Sequence, residues 1–427
     1  MKVGFISLPV AGHLNPMIAL GRTLQMRGHE VSFIGILDAE TPVRAAGLDF
    51  ISFCEKEYPL GSDLYAPIAT LHGLDVVKTA CKLILPPFVK ATIEHLPEKL
   101  VGAGFDALVI DMIHFFIELV PMSLGIPYVH IWNVLDIDFL GTTPPSFFDW
   151  PLETSSSAKG KNLQALQQLS GTIFPPILEV AVPQAKKLDL NIDWNNPRVR
   201  VSKLAVVAQY PQEFDFPGVP RASHFHYSGP FIAEGDRELI PFPWERLTGK
   251  PLIYASMGTL INGSPQVFKA ILQAASKLPE VEIVLSVGKH INVDDLGTIP
   301  PNVIAVSRAP QLELLKRAML CITHAGLNTA LESLAHGVPM VAIPLGFDQP
   351  GIAARIAHHG VGEFISIVET PSAERLEGLI RKVLGDPRYG ERARCFQGVI
   401  ARSNGLEVAA HVVEKAYEMA VKSDLNH

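Results

Sequence analysis

Apolar and polar positions alternate in a way that changes period regularly along the chain. Lys2 to Leu8 is a short, nearly unbroken apolar run, as a strand covered on both faces requires. A Gly/His/Asn/Pro turn follows, and Ile18, Leu20 and Leu24 then mark a helix closing at Gly28. Asn15 is a good N-cap and Pro16 suits a first helical position, so the helix is predicted to begin there. Val31 to Ile36 predicts a second strand, and Thr41-Pro42 opens a short helix ended by Gly47. The pattern resumes with a strand at Ala107 to Ile110 and a helical stretch to Leu124. A Gly125-Ile126-Pro127 turn then leads into strand Tyr128 to Trp132. Between about Thr142 and Pro220 the chain is rich in Pro and Ser and predicts loops and helices without fixed placement.

After Lys250 a second series begins. Strands are predicted at Leu252–Ala255, Glu282–Val287, Val303–Val306, Leu320–Thr323 and Met340–Ile343, with helices at Val267–Leu278 and Leu327–His336. Leu406 to Val421 predicts a closing helix. Strand–helix alternation of this kind implies an α/β fold: two Rossmann-like, doubly wound parallel-sheet domains facing each other across a cleft. The expected division is residues 1–228, a Pro-rich linker 229–250, a second domain 251–405 and a C-terminal helix 406–427. The 427 residues suit two such domains.

Composition narrows the function. Hydrophobic residues make up 48% and charged residues 19%, which excludes a disordered chain. The formal net charge of −7, without a basic tract, argues against nucleic acid as a partner. Cys54, Cys81, Cys321 and Cys395 share no paired spacing, so reduced thiols and a cytoplasmic protein are expected. The longest apolar region, Ala107 to Leu124, is broken by Asp111, His114, Glu118 and Pro121 and is no membrane span. Peripheral membrane contact stays open.

In doubly wound sheets ligands bind beyond the carboxyl ends of the strands. The first such turn lacks GxGxxG, which argues against a dinucleotide there. It displays His13 instead, a residue type suited to general-base work, although a lone His is more often structural. Asp111 ends a strand on the same edge, where an ionised carboxylate would fix the tautomer of His13; Asp106 precedes its strand and belongs to the opposite edge. A solvated loop carboxylate is the plainer reading of Asp111. The densest constellation is Arg308 to Gln349. Within it, CITHAGLNTALESLAHG runs strand, tight turn, helix, with Leu327, Ala330, Leu331, Leu334 and Ala335 on one buried stripe. His324 and Gly326 lie at the mouth of that helix, where free N–H groups suit a phosphate. An ordinary polar cap explains the turn alone equally well. Ser256 to Thr259 is a similar strand-end turn. No HExxH, GxxxxGK[ST] or GxSxG is present.

Taken together, Gly12-His13-x-Asn15-Pro16, Pro310-Gln311, Thr323-His324-x-Gly326-x-Asn328-Thr329, Glu332, Gly337-Val338-Pro339, Pro344 and Asp348-Gln349 resemble the GT-B UDP-glycosyltransferases. These are nucleotide-sugar-dependent enzymes that glycosylate lipophilic small molecules. FDQPGIAARIAHHGVG looks closest to bacterial zeaxanthin glucosyltransferases. The resemblance spans nearly the whole chain, strongly in 308–362 and loosely in 135–225.

It implies an inverting, metal-independent transfer of a sugar, glucose by expectation, from a UDP-sugar to a hydroxyl of a hydrophobic acceptor such as a carotenoid, terpenoid or phenolic. No cofactor is implied. His13 would be the base and Asp111 its support. His324, Gly326, Asn328, Thr329, Ser256 and Thr259 would hold the diphosphate, Gln311 would lie by the uracil, Glu332 would bind the ribose, and Asp348 and Gln349 the sugar. Plant members carry Trp where this chain has Arg308; a guanidinium can also stack on a base, and TDP-sugars stay open as donors. Leu83–Phe88 and Pro144–Trp150 are candidates to line the acceptor pocket, or are plain core. A nucleotide-sugar epimerase and a non-catalytic nucleotide-sugar-binding protein are the alternatives.

Overall fold

The computed structural model describes residues 1–233 and 240–424. Part of the expected linker, 234–239, and the last three residues of the expected C-terminal segment, 425–427, therefore lie outside the described residues.

The first sheet is built from β1 (Lys2–Ile6), β2 (Glu30–Gly35), β3 (Asp49–Ser52), β4 (Ala107–Asp111), β5 (Tyr128–Trp132), β6 (Val206–Ala208) and β7 (Phe225–Tyr227). Its order is β3-β2-β1-β4-β5-β6-β7, and every pairing is parallel. Its helices are α1 (Ala11–Met26), α2 (Glu40–Ala45), α3 (Leu74–Thr79), α4 (Leu85–Ala103), α5 (Leu119–Leu124), α6 (Ser156–Ile173) and α7 (Pro175–Lys187). β1 and β4 are buried almost throughout, as strands of a sheet covered on both faces must be.

The second sheet takes β8 (Leu252–Ser256), β9 (Glu282–Ser286), β10 (Val303–Val306), β11 (Ala318–Thr323), β12 (Met340–Ala342) and β13 (Gly362–Phe364). Its order, β10-β9-β8-β11-β12-β13, is again parallel throughout. The helices are α8 (Pro265–Ser276), α9 (Gln311–Leu315), α10 (Leu327–Ala335), α11 (Gln349–His358), α12 (Ala373–Gly385), α13 (Pro387–Ser403) and α14 (Gly405–Asp424). α14 returns to the first domain, where Ala409, Ala410, Val413 and Ala416 join a core with Leu14, Met17 and Leu24 of α1. Among the described residues no helix is long and apolar enough to cross a membrane.

Each sheet reverses its winding between two central strands, β1 and β4 in the first, β8 and β11 in the second. A crevice opens at such a switch point. The two crevices face each other.

One expectation fails at the first crevice. α1 begins at Ala11 after an extended Val10, five residues earlier than Asn15 and Pro16 suggest, and Pro16 sits inside the helix. Pro16 has no N–H to give the Gly12 carbonyl, four residues back, so that carbonyl is free to accept from elsewhere. It accepts from the amide of Asn328, on the other domain. A tertiary contact thus uses the backbone group that the proline leaves over. The stretch after β4 is also not continuously helical; it turns through 112–118 before α5.

Candidate active site

His13 is the third residue of α1, and its position follows from the early helix start. β1 pairs with β4 in the register Ile6 to Ile110, so the residues after β1 and the end of β4 share one edge. His13 Nδ1 and Asp111 Oδ2 are 2.7 Å apart, with His13 buried and Asp111 fully so. Burial alone would lower the pKa of His13, but the charge and hydrogen bond of Asp111, with the Asp348 carboxylate adding, leave it raised. Burial would likewise raise Asp111, and the imidazole's charge and hydrogen bond leave it lowered. With Nδ1–H donated to the carboxylate, Nε2 is the ring atom left for a substrate proton. Asp106 sits at the opposite edge, accepting from the Lys2 backbone N–H at 2.7 Å.

The second crevice is made of two turns. After β8, Gly258 takes a left-handed φ of 73°; after β11, Ala325 does so at 61°. His324 lies between them. A Cβ at either Gly258 or Gly326 would run into its imidazole, so both glycines are there for ring space. Burial lowers His324 to about 4, and its buried Nδ1 has no partner. The ring is therefore neutral, a polar group at the amino end of α10 that carries no charge of its own. Ser256 is buried at the end of β8, whereas Thr259 and Arg308 are exposed on the rim.

Further along α10, Glu332 Oε2 accepts from Nε2 of Gln311, the first residue of α9, at 2.6 Å, and Gln311 Oε1 accepts from the Tyr254 hydroxyl at 3.1 Å. Thr329 Oγ1 is 3.4 Å from the same Gln311 amide. Three residues selected from the sequence, half-buried Gln311 and buried Thr329 and Glu332, thus form one polar cluster.

Asn328 faces the first domain. Its amide donates to Gly12, and its Oδ1 accepts from Gln209 Nε2 at 2.7 Å. Asp348, the N-cap residue of α11, accepts from the Leu135 backbone N–H at 2.9 Å; burial leaves its pKa raised. Gln349 Oε1 accepts from Leu345 N and Gly346 N, which fixes the loop ahead of α11.

Sequence reasoning did not include Gln209, Leu135, His114 or Asn133, all of which come to this cleft. Their signal is positional only: Asn133 follows β5, an expected strand, and Gln209 follows β6, a three-residue strand short enough to be missed. The Pro144–Trp150 loop reaches the second domain: Ser146 O accepts from Gly351 N at 2.8 Å, and Asp149 accepts from Ser366 Oγ and Ile367 N. Pro144 and Trp150 also line a small cavity with Ala158, Lys161 and Asn162. In the Leu83–Phe88 stretch Leu83 is exposed while Leu85 and Phe88 are buried. The domains meet closely. A cavity between them, bounded by Pro16, Gln209, Asn328 and Glu332, measures about 10 Å³, room for one water. Among the described residues a grouping of metal-ligand types occurs at Cys54, Glu57 and His95, and it includes none of these site residues.

Two facing doubly wound domains, each with polar residues gathered at its switch point, define a GT-B glycosyltransferase architecture. Residues 248–398 match the UDP-glucoronosyl and UDP-glucosyl transferase family model, and the chain is a glycosyltransferase of that family. It is 25% identical over 418 residues to the zeaxanthin glucosyltransferase of Pantoea ananas, covering 96% of this chain and 94% of that one. It is 27% identical over 426 residues to the demethyllactenocin mycarosyltransferase of Streptomyces fradiae, covering 96% and 86%. The crystal structure of the kitacinnamycin glycotransferase superposes with a TM-score of 0.74 at 21% identity, over 97% of this chain and 98% of that one.

Proposed function

We propose that this enzyme transfers a sugar, with inversion and without a metal, from a nucleoside diphosphate sugar to a hydroxyl of a hydrophobic small molecule. The observation that carries the reading is the buried 2.7 Å His13–Asp111 pair at one switch point, opposite the His324 turn at the other. His13 Nε2 takes the acceptor's hydroxyl proton as the oxygen attacks the anomeric carbon. The sugar–phosphate bond breaks on the opposite face and the nucleoside diphosphate leaves. The imidazolium so formed is held by Asp111 until it returns its proton to solvent.

The leaving diphosphate collects negative charge. The amino end of α10 and the neutral His324 meet that charge with N–H groups, which is why no metal is required in this reading. Ser256 and Thr259 add hydroxyls from the other turn. Glu332, with Gln311, takes the ribose and base, and Asp348 with Gln349 the sugar hydroxyls. UDP-glucose is the first donor to test, from the family match and the zeaxanthin glucosyltransferase relative; the mycarosyltransferase relative and Arg308 keep TDP-sugars as the second. The same reading places the protein in the cytoplasm, at a membrane surface when the acceptor resides there.

The test is mass spectrometry of UDP-glucose with pooled lipophilic alcohols and phenols, a hydroxylated carotenoid among them, beside a no-acceptor control. An acceptor gaining one hexose supports the reading. Sugar isomerisation without acceptor product replaces it with an epimerase. His13→Ala should lower turnover about 10²–10⁴-fold and leave donor binding intact; unchanged turnover removes His13 from the mechanism.

A further inference from the structure

Buried polar atoms without partners gather at one place in the first domain. They are both ring nitrogens of His114, Oδ1 of Asp111 and both amide atoms of Asn133. His114 is 3% exposed and Asn133 4%. All sit at or just past the carboxyl ends of β4 and β5, beside His13.

His114 follows Asp111 by one tight turn, its N–H donating to the Asp111 carbonyl at 3.1 Å. Its ring packs on Phe88 of α4, centroids 5.8 Å apart. Asp111, Glu118 and His13 are near enough for their charges to act on it, and the Ser7 main chain is close by. Neither nitrogen makes a bond of normal geometry with any of them. Burial lowers its pKa, so the ring is neutral, with one N–H to donate and one lone pair to fill. Two unmet polar atoms on one fully enclosed side chain are costly, and such groups call for an explanation.

We propose that His114 recognises the acceptor by hydrogen bonding an oxygen vicinal to the hydroxyl that His13 deprotonates, so that 1,2-dioxygenated ring compounds (catechols and cyclic vicinal diols) are the preferred class. The inference rests on the transferase reading and refines it. His13 is tied to Asp111, and His114 stands one turn further along the same strand edge. Two imidazoles so placed suit two oxygens on neighbouring carbons, and Phe88 supplies an apolar wall for the ring that carries them. An isolated hydroxyl on a hydrocarbon ring leaves His114 unpaired. A site built to pair a substrate oxygen discriminates against the analogue that lacks it.

The experiment compares 2-naphthol, 3-methoxy-2-naphthol and 2,3-dihydroxynaphthalene as acceptors, with the full-length enzyme and the donor found active in the pooled screen. The expected wild-type kcat/KM ratio, diol over mono-ol and halved for the two equivalent hydroxyls, is at least about tenfold, with the methoxy compound between. His114→Phe should bring the ratio to about one, keeping the 2-naphthol rate within about threefold. His114→Gln, which retains a donor and an acceptor, should restore part of it. A wild-type ratio near one, or the same ratio in wild type and His114→Phe, overturns the proposal. Should His114→Phe not fold, His114→Leu gives the same reading, and if neither folds, a wild-type ratio near one still overturns it. Product from the pool but from none of the three naphthols overturns this acceptor class and leaves the transferase reading standing. No product from any acceptor overturns both.

Discussion

At His13 burial and the Asp111 carboxylate act in opposite directions, and the carboxylate wins. A general base works only when neutral, so kcat/KM should fall as pH drops through the His13 pKa. Because the net shift is upward from 6.5, the acid limb of the wild-type profile should lie above that value. Asp111→Asn removes the larger part of what raises the pKa, leaving only the Asp348 charge, and keeps the burial that lowers it. Its acid limb should therefore move to lower pH while the plateau rate also falls, because the tautomer is no longer fixed. A limb that stays in place in Asp111→Asn would mean that another group sets it. Gly326 tests the other crevice cleanly. Its backbone is ordinary (φ −65°), so Gly326→Ala adds no backbone strain and only drives a methyl into His324. We expect UDP binding, measured by calorimetry, to weaken about tenfold or more with little change in melting temperature; unaltered affinity would remove His324 from the donor site. His13, Asp111, His324 and Gly326 are legible in the chain because a parallel sheet puts every strand's carboxyl end on one edge, so sequence position fixes their neighbourhood. Gln209 and the Leu135 N–H are not legible. Their partners, Asn328 and Asp348, lie 119 and 213 residues away on another domain, and no local pattern encodes how two domains meet.

The same divide runs through the elements. Strands β5 and β10 match their expected bounds, and α10 follows its apolar stripe, because burial on both faces or on one stripe writes a clear period. α4 was not readable: Pro86 and Pro87 fill its first turn and Pro97 its interior, and a proline-rich segment reads as loop. α6 and α7 fall in the stretch predicted without fixed placement. α6 is polar at Ser155 to Ser157, and Ser155 turns out to be its N-cap, accepting from Ala158 N. α14 is readable as a helix, but its docking is not. Arg27 bonds Glu407 and Glu414 on its exposed side, and His29 bonds Glu414. Those surface pairs contribute little. The four small apolar side chains it places in the α1 core matter more. At roughly 0.8 kcal/mol per buried methyl-sized group, ending the chain at 404 should cost the first domain at least about 3 kcal/mol. Hydrogen exchange of α1 amides checks this, since protection there should fall while that of α8, in the second domain, stays. Equal loss in both domains would mean that α14 supports the whole molecule rather than one half.

On the scale of the whole molecule, the chain passes between domains twice, and the two crossings touch. Gly229 (φ 95°) lies against Ser403, and a Cβ on Gly405 would come within 2.6 Å of the Gly229 and Pro230 carbonyls. Paired crossings of this kind leave the domains free to hinge. Domains in contact across the cleft, Asn328 to Gly12 and Asp348 to Leu135, must part to admit a nucleotide sugar, and must close again to bring His13 to the anomeric carbon and exclude water. Among the elements that hold the closed form is α11. Asp348 at its start accepts from Leu135, Gly351 N donates to Ser146, and Arg355, two turns on, donates through Nη2 and Nε to Asp215 Oδ1 at 2.7 and 3.2 Å. Asp215 is buried, yet Arg355 and Arg221 outweigh burial and hold its pKa low, so the pair is charged. Removing one partner of a buried pair costs about 3–5 kcal/mol, most of it from the charge left behind. Arg221 still faces Asp215, so the loss in Arg355→Met should be at the lower end, and it falls on the closed form alone if opening separates α11 from Asp215. Arg355→Met should then shift the population toward the open form. Small-angle scattering should give a larger radius of gyration without ligand, shrinking toward the wild-type value as UDP-sugar is added. kcat should fall at saturating donor, because part of the binding energy now goes into closure. An unchanged radius and kcat, with only a lower melting temperature, would show that Arg355 stabilises the fold without governing the cleft.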